Sequence, residues 1–162
     1  MAYDFDLCAI GAGSGGIATA RRAAQYGARV AVAEFDRLGG TCVNRGCVPK
    51  KLMVYASHFA SHVQEAAGYG WTFEPGKFDW PCMIDAVNGE VTRLNAIYQR
   101  MIDNAEVTLY TGHARILDPH TIEVADQTVT AEKILIAVGG KPSRPTIPRI
   151  ELAITSDQIY RL

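Results

Sequence analysis

The sequence has few cysteines and lacks any long hydrophobic run. Its four cysteines among 162 residues are too few for the disulfide framework of a small secreted domain. No segment approaches the roughly 20 apolar residues that a transmembrane helix requires. No targeting peptide is evident, because the early apolar stretch from Leu7 to Ile10 is short and runs into glycines. We therefore expect a cytoplasmic protein that does not associate with membranes.

An excess of positive charge is also missing. The 16 Lys and Arg residues nearly balance the 17 Asp and Glu residues, which leaves a net charge of -1. The basic residues are scattered, so the sequence lacks the electrostatic footprint of a nucleic-acid-binding protein, and we predict no nucleic-acid partner. Apolar residues make up 48% of the chain, and the length suits one domain with a substantial core.

The first 34 residues show the pattern of two strands joined by a helix. Asp6 to Ile10 predicts a short buried strand, and Gly11 to Gly16 predicts a tight turn. A helix is expected over Ile17 to Gly27, where the glycine would stop it. Arg29 to Glu34 is β-branched and apolar and predicts the second strand. Because a helix connects the strands, they are expected to be parallel, which indicates the α/β class.

The cysteine segment that follows is expected to run into one long helix ending near Gly68. Asp79 is a plausible N-cap for a second long helix that would end at Asn104. That helix carries apolar residues spaced by three or four positions: Ile84, Val87, Val91, Leu94, Ile97 and Met101.

The last third of the chain predicts strands. Val107 to Tyr110 is one, and three short antiparallel strands are expected at His113 to Leu117, Thr121 to Val124 and Gln127 to Thr130. A separate buried strand is expected from Lys133 to Val138. The Pro-rich segment from Lys141 to Arg149 predicts an extended loop.

Gly11, Gly13 and Gly16 form a G-x-G-x-x-G motif between the first predicted strand and its helix. The first glycine permits the turn, the second lets a pyrophosphate approach the backbone, and the third allows close packing of helix on strand. The N-terminus of the helix would then face the phosphates. Glu34 ends the second strand, where a carboxylate that binds a ribose hydroxyl is expected. This context predicts dinucleotide binding.

Cys42 and Cys47 lie in the stretch GGTCVNRGCVPKK, with four residues between them. In an ideal helix such positions are roughly 8–9 Å apart at Cα, whereas a disulfide usually needs less than about 7 Å. A bridge between them therefore requires a distorted helix, for which Gly46 and Pro49 are suited. The nearby helix N-terminus and the basic residues Arg45, Lys50 and Lys51 are expected to lower the thiol pKa values.

Other interpretations of the cysteines are two buried free thiols or half of a metal site. No second Cys or His pair lies at ligand spacing, so we predict no metal. His58 and His62 are four residues apart on one helix face, without further ligand candidates. Cys8 and Cys82 show no partner signal and are expected to be buried or incidental.

Five segments resemble the class I pyridine nucleotide–disulfide oxidoreductases, and among them the glutathione reductases. They are GAGSGG, GGTCVNRGCVPKK, RLNAIYQ, GHARI and ILIAVGGKPSRPTIP, in the family's order and approximate spacing. The resemblance implies a Rossmann-like FAD-binding domain with a parallel sheet, a helical insertion and a three-stranded β-meander. It also implies that electrons pass from NADPH to FAD, then to the cysteine pair, and then to glutathione disulfide.

The resemblance further implies that residues 1–162 are the N-terminal part of the FAD-binding domain of a homodimer. The NADPH and dimerisation domains would then lie outside this chain, and we expect the isolated chain to be inactive. Apolar surface is expected to be uncovered on the Cys42 helix and on the Ile84–Met101 helix. Alternatives are dihydrolipoamide dehydrogenase, mercuric reductase, or a partial flavin-binding module without turnover.

Residue roles follow from the resemblance by position. Cys47 would face the flavin as the charge-transfer thiolate, Cys42 would attack the substrate disulfide, and Lys50 would lie near the flavin ring. A valine at position 138 replaces the family's threonine and removes a hydroxyl near the flavin. Ser14, Arg21 and Tyr98 match glutathione-contacting positions, although Arg21 could be a solvated helix residue and Tyr98 a packing residue. The implied cofactor-binding residues are Gly11, Gly13, Ser14, Gly15, Gly16, Glu34, Gly40, Thr41, Cys42, Cys47, Lys50, His113, Ala114, Val138 and Gly139.

Overall fold

The computed structural model describes residues 3–74 and 76–160, which form a mixed α/β fold. The helices and strands of the first half are β1 (Phe5–Ile10), α1 (Ser14–Gln25), β2 (Val30–Glu34), α2 (Gly40–Arg45), α3 (Cys47–Ala66) and α4 (Trp80–Asp103). The second half contains β3 (Thr108–Thr111), β4 (Ala114–Asp118), β5 (Thr121–Val124), β6 (Gln127–Ile136) and a short α5 (Ser156–Ile159). Short 3-10 turns lie at Ala67–Tyr69 and Ile150–Leu152.

The six strands form one sheet in the order β3-β2-β1-β6-β5-β4. The pairs β3-β2, β2-β1 and β1-β6 are parallel, whereas β6-β5 and β5-β4 are antiparallel. The predicted Rossmann-like arrangement and the three-stranded meander are therefore both confirmed. Because the four parallel strands run in one direction, their carboxyl ends meet at one edge of the sheet.

One prediction about the strands is wrong. The two separate strands expected at Gln127 to Thr130 and Lys133 to Val138 are a single strand, β6, which ends at Ile136. The residues between the two predicted strands, Ala131 and Glu132, include no turn former, so the backbone continues without a break. The first part of β6 pairs with β5, and the part from Ala131 onward pairs with β1.

The long helix expected after the cysteine segment is also interrupted. It is divided into α2 and α3 at Gly46, whose backbone angles of φ −151° and ψ −109° are not helical. The predicted cap of α4 is confirmed, since Asp79 Oδ1 accepts a hydrogen bond from the Cys82 amide at 2.9 Å. None of the helices among residues 3–74 and 76–160 is long and apolar enough to cross a membrane.

Two apolar clusters hold the layers together. One packs α1 and α4 against the sheet and contains Ala9, Ala12, Ile17, Ala20, Val30, Val32, Leu38, Ile102 and Val107. The other joins the parallel strands to the meander strands of the same sheet and contains Cys8, Ile10, Ala31, Ala33, Ile122, Val124, Val129 and Ala131. The apolar stripe of α4 departs from its predicted course, because Ile102 is buried while Met101 is only half-buried.

Candidate functional site

A cleft of about 840 Å³ opens at the carboxyl ends of β1, β2 and β6. This edge is where parallel α/β sheets commonly bind ligands. The cleft brings together most of the residues that the sequence singles out for a cofactor: Gly11, Gly13, Ser14, Gly15, Glu34, Gly40, Thr41, Cys42, Cys47, Ala114, Val138 and Gly139. Both thiol-bearing residues thus share one cavity with the glycine loop.

Two glycines of the loop are required by close backbone approaches. Gly11 has a φ of +106°, and a Cβ there would collide with the carbonyl oxygen of Ala137. Gly16 is buried in α1, and a Cβ there would collide with the carbonyl oxygen of Gly11. The middle glycine of the motif, Gly13, is the N-cap residue of α1, so the first turn of that helix begins at the wall of the cleft.

A second glycine turn lies directly against this loop. Gly39 and Gly40 have φ values of +98° and +62°, and a Cβ on Gly40 would lie 2.7 Å from Gly13 Cα. The Gly39 amide also donates a 2.9 Å hydrogen bond to the carbonyl oxygen of Ala12. The Gly39–Gly40 turn therefore joins the cysteine-bearing helix α2 to the dinucleotide loop through backbone contacts.

Glu34 is buried at the end of β2, with a relative exposure of 9%. Its carboxylate accepts three backbone hydrogen bonds, from Ala12 at 2.7 Å and from Phe35 and Asp36 at 2.9 Å each. A carboxylate offers about four acceptor positions, so capacity for one further donor remains. Glu34 therefore organises the loop and can still accept a hydrogen bond from a ligand hydroxyl in the cleft.

Cys42 on α2 and Cys47 at the start of α3 are brought together by the break at Gly46. Both thiols are free, and both line the cleft. A hydrogen bond with the Cys47 side chain, together with burial, raises the pKa of the Cys42 thiol above its ordinary value, although the Cys47 backbone and the charge of Lys50 act in the opposite direction. The expected lowering of the thiol pKa is therefore wrong for Cys42, because the effects of the Cys47 side chain and of burial on this pKa exceed the effect of the Lys50 charge.

The remaining cysteines lie elsewhere, as expected. Cys8 is fully buried in β1, and burial raises the pKa of its thiol from 9.0 to about 11. Cys82 is exposed near the start of α4. His58 and His62 have ring centroids 5.9 Å apart. Within residues 3–74 and 76–160, no group of three or more His, Cys, Asp or Glu side chains could hold a metal ion.

Several predicted site residues lie outside the lining of the cleft. Lys50 is exposed on α3 but close enough to Cys42 to affect its titration. His113 stacks on Phe35, a residue that does line the cleft, with ring centroids 4.3 Å apart. Tyr98 is half-buried and packs against the apolar cluster beneath α1. Arg21 is half-buried on α1, and its Nε has no hydrogen-bond partner within the described part of the chain.

Two features of the site were missed by the sequence analysis. Asp36 and Arg45 both line the cleft and form an ion pair of 2.7 Å that joins the loop after β2 to the end of α2. Asn95 on α4 donates a hydrogen bond to the side chain of Asn44 on α2 at 2.9 Å. The only available signal was Asn95 itself, a polar residue four positions after Val91 in the apolar stripe of α4.

Comparisons with known proteins give consistent results. The family described as pyridine nucleotide-disulphide oxidoreductase matches residues 5–161. A glutathione reductase of Nostoc sp. is 51% identical over 100% of this chain and 35% of its own length. A glutathione reductase of Burkholderia cepacia is 48% identical over 99% of this chain and 36% of its length. The Pisum sativum protein named "Glutathione reductase, chloroplastic/mitochondrial" is 47% identical over 96% of this chain and 30% of its length.

The chain therefore spans about a third of the length of the curated relatives it matches. The aligned third is the part that contains the glycine loop, the two thiols and the meander.

Proposed function

Since this chain belongs to the pyridine nucleotide-disulphide oxidoreductase family, we propose that it is the N-terminal, FAD-binding part of an enzyme that uses NADPH to reduce glutathione disulfide. The observation that carries this proposal is the shared cleft, in which a dinucleotide-type glycine loop and two free thiols line one cavity. The similarity to glutathione reductases over the whole chain supports the choice of substrate.

The residues of the cleft fit FAD. The first turn of α1 presents backbone amides and the positive end of the helix to the cavity, which suits a pyrophosphate. Glu34 retains an acceptor position for a ribose hydroxyl, and Gly13 and Gly40, which approach each other closely, place no side chain in the cleft. When bound, FAD would supply the two-electron relay between NADPH and the cysteine sulfurs.

Ala114, Val138 and Gly139 are proposed to contact the same cofactor, since all three line the cleft. His113 would contribute through its stack on Phe35. Val138 is 64% exposed, so its side chain presents a methyl surface to the cavity where a hydroxyl would otherwise stand. Lys50 is proposed to supply positive charge beside the two sulfurs, in line with its effect on Cys42.

The chemistry of the thiols is a disulfide exchange. The Cys42 sulfur, once deprotonated, attacks one sulfur of glutathione disulfide and forms a mixed disulfide, while the other glutathione leaves and takes up a proton. The Cys47 sulfur then attacks Cys42, which forms the Cys42–Cys47 bond and releases the second glutathione. Two thiols are thereby oxidised and one glutathione disulfide is reduced to two thiols.

Substrate recognition is proposed for Ser14, Arg21 and Tyr98. Ser14 lines the cleft at the first turn of α1. Arg21 carries a buried Nε without a partner in the described residues, and a guanidinium suits the carboxylates of an anionic tripeptide. Tyr98 packs on the core with its ring, so its contribution to the substrate would come from the hydroxyl.

Turnover by the full-length protein tests this function. We expect NADPH consumption with glutathione disulfide, and loss of that activity in Cys42→Ser. The matched control is Cys82→Ser, because Cys82 is an exposed thiol outside the cleft and should leave the rate unchanged. Preference for dihydrolipoamide with NAD, or for mercuric ion, would reassign the enzyme within its family.

A homodimer located in the cytoplasm is part of the same proposal. Sedimentation tests the oligomeric state, and fractionation of cells tests the location.

A further inference from the structure

Asn95 is a polar residue in the apolar stripe of α4. It follows Val91 by four positions and precedes Tyr98 and Ile102, all of which face the interior at least in part. Asn95 is itself half-buried. A buried amide is retained at low cost only where its hydrogen bonds are satisfied. The partners of Asn95 therefore indicate why an asparagine occupies this position.

The Asn95 side chain reaches two groups that are distant in sequence. Its Nδ2 donates to the carbonyl oxygen of Leu38 at 2.8 Å and to Oδ1 of Asn44 at 2.9 Å. Asn44 in turn donates through Nδ2 to the carbonyl oxygens of Arg37, Leu38 and Gly40, at 3.1, 3.2 and 3.0 Å. Because carbonyl oxygens can only accept, this arrangement fixes the orientation of both amides.

The two amides hold the segment that leads into Cys42. Arg37 to Gly39 has no regular secondary structure and leads into α2, which begins at Gly40. Gly39 and Gly40 have positive φ values, and without a Cβ these glycines leave the backbone many alternative conformations. The Asn95 and Asn44 amides satisfy three carbonyls of this segment and join it to the rigid helix α4. Cys42 lies two residues beyond Gly40, on the short helix α2 that the segment orients.

We propose that Asn95 is a positioning residue for the redox pair, and that it acts through Asn44 on the Gly39–Gly40 turn to hold Cys42 within reach of Cys47. This inference rests on the proposed function, in which these two cysteines are the pair that cycles between dithiol and disulfide. Asn95 contacts neither sulfur, and its effect is on the probability that the two thiols meet.

The measurement is the equilibrium of the Cys42–Cys47 pair with glutathione. Oxidation forms the bond between the two cysteine sulfurs, and the two electrons and two protons that the thiols give up convert one glutathione disulfide into two glutathione thiols. The 162-residue chain is equilibrated in buffers of increasing glutathione disulfide, quenched with an alkylating reagent, and scored by peptide mass. The fraction bridged gives the equilibrium constant directly.

The sharpest variant is Asn95→Asp. It keeps the shape of the side chain but replaces the donating amide nitrogen with a carboxylate oxygen that faces two acceptors, the Leu38 carbonyl oxygen and Asn44 Oδ1. We expect the equilibrium constant for disulfide formation to fall about tenfold, which corresponds to roughly 30 mV for this two-electron couple. Asn95→Ala, which removes the donor without adding charge, should give a change of the same sign. The matched control is Asn88→Asp, an exposed asparagine two turns earlier on α4, which should leave the constant unchanged.

A double-variant cycle separates positioning from general stability. Asn95 bonds both Asn44 and the Leu38 carbonyl, so the Asn44→Ala, Asn95→Ala variant should lose less disulfide formation than the sum of the two single losses. Variants that melt at a lower temperature but keep the wild-type constant would reduce Asn95 to a structural residue and overturn the inference. A wild-type chain that forms no Cys42–Cys47 bridge would overturn the proposed function and this inference with it. A normal wild-type constant that Asn95→Asp leaves unchanged would overturn this inference alone.

Discussion

Cys8 and Cys42 show how two environments raise the pKa of the same side chain for different reasons. Cys8 lies in the centre of the sheet, where loss of water raises the pKa of the thiol to about 11. Cys42 lies in the cleft, where a hydrogen bond with the Cys47 side chain contributes most to its raised pKa. The Cys8 thiol is fully buried, whereas the Cys42 thiol lies in the cleft together with Cys47.

The buried thiol predicts a loss of stability at alkaline pH. An unfolded chain releases the Cys8 proton near pH 9.0, whereas the folded chain retains it to about 11, so the stabilising contribution is complete below pH 9.0 and lost as the pH rises through about 11. The loss attributable to Cys8 should be about 2–3 kcal/mol. Urea unfolding between pH 8 and 11 should therefore show a steeper decline for wild type than for Cys8→Ala. Equal slopes would contradict this assignment.

The contact between the two glycine turns predicts a strong effect of a single methyl group. Gly40→Ala combines a positive φ with a Cβ 2.7 Å from Gly13 Cα, so it should destabilise the chain by about 1–3 kcal/mol. It should also weaken FAD binding, measured by quenching of flavin fluorescence, because the loop must move. The control is Gly89→Ala within α4, where the added methyl meets nothing within 4 Å, and which should stabilise by about 0.5–1 kcal/mol. Flavin binding equal to wild type in Gly40→Ala would contradict the role of this contact.

At the scale of elements, the break between α2 and α3 determines how the two cysteines are placed relative to each other. An unbroken helix would separate the two sulfurs, and the non-helical Gly46 removes that obstacle. A Cβ on Gly46 would lie 2.9 Å from the Thr41 carbonyl oxygen, so a side chain is disfavoured at the break. The helix tolerates a proline at its third residue, Pro49, because the first-turn amides of a helix have no intrahelical partner.

This geometry predicts a specific pattern of disulfides. Exposure of the 162-residue chain to air should bridge Cys42 to Cys47, since both line one cleft, while Cys8 and Cys82 stay free. Mild reductant should reopen the bridge. Alkylation followed by peptide mass mapping checks the pattern. A bridge that includes Cys8 or Cys82 would defeat the assignment of the redox pair.

The sequence predicts those parts of the site that depend on local pattern. Glycines at fixed spacing between a strand and a helix locate the cleft, and Gly46 with Pro49 indicates the irregular backbone between the thiols. The union of the last two predicted strands into β6 was indicated only by the absence of a turn former at Ala131 and Glu132. The change of partner along β6, from β5 to β1, could not be anticipated, because residue alternation does not reveal which strand lies alongside. The Asn44–Asn95 hydrogen bond was missed for a similar reason, since it joins residues 51 positions apart.

At the scale of the whole molecule, the end of α3 and the loop after it expose many large apolar side chains. They are Tyr55, Phe59, Val63, Tyr69, Trp71, Phe73, Phe78 and Trp80, each at least 40% exposed. The expectation of uncovered apolar surface is thus confirmed for the Cys42 region through α3. It is wrong for the Ile84–Met101 part of α4, where Ile84, Val87 and Val91 are buried, although Trp80 at the start of that helix is exposed.

These exposed side chains predict self-association of the 162-residue chain, since apolar patches of this kind recruit partners. Phe59→Ser should weaken association by roughly tenfold or more, because burial of such a ring is worth about 1.5–3 kcal/mol. Leu152→Ser is the control, as Leu152 is 75% exposed but lies outside this patch. Sedimentation velocity over a range of concentrations checks both variants. A wild-type chain that stays monomeric at high concentration would contradict the prediction.

The shared strand β6 has a consequence for how the molecule opens. Its first residues complete the meander, its later residues complete the parallel sheet, and Asp4 Oδ2 accepts hydrogen bonds from Thr130 at the point of transition. If β6 leaves the sheet, the meander and the parallel strands both lose the hydrogen bonds that they make to it. The two parts of the sheet should therefore unfold as one cooperative unit. In native-state hydrogen exchange, the amides of residues 127–130 and 131–136 should become labile at the same free energy, while the outer strand β4 opens more easily. Separate opening energies for the two halves of β6 would show that the meander unfolds by itself.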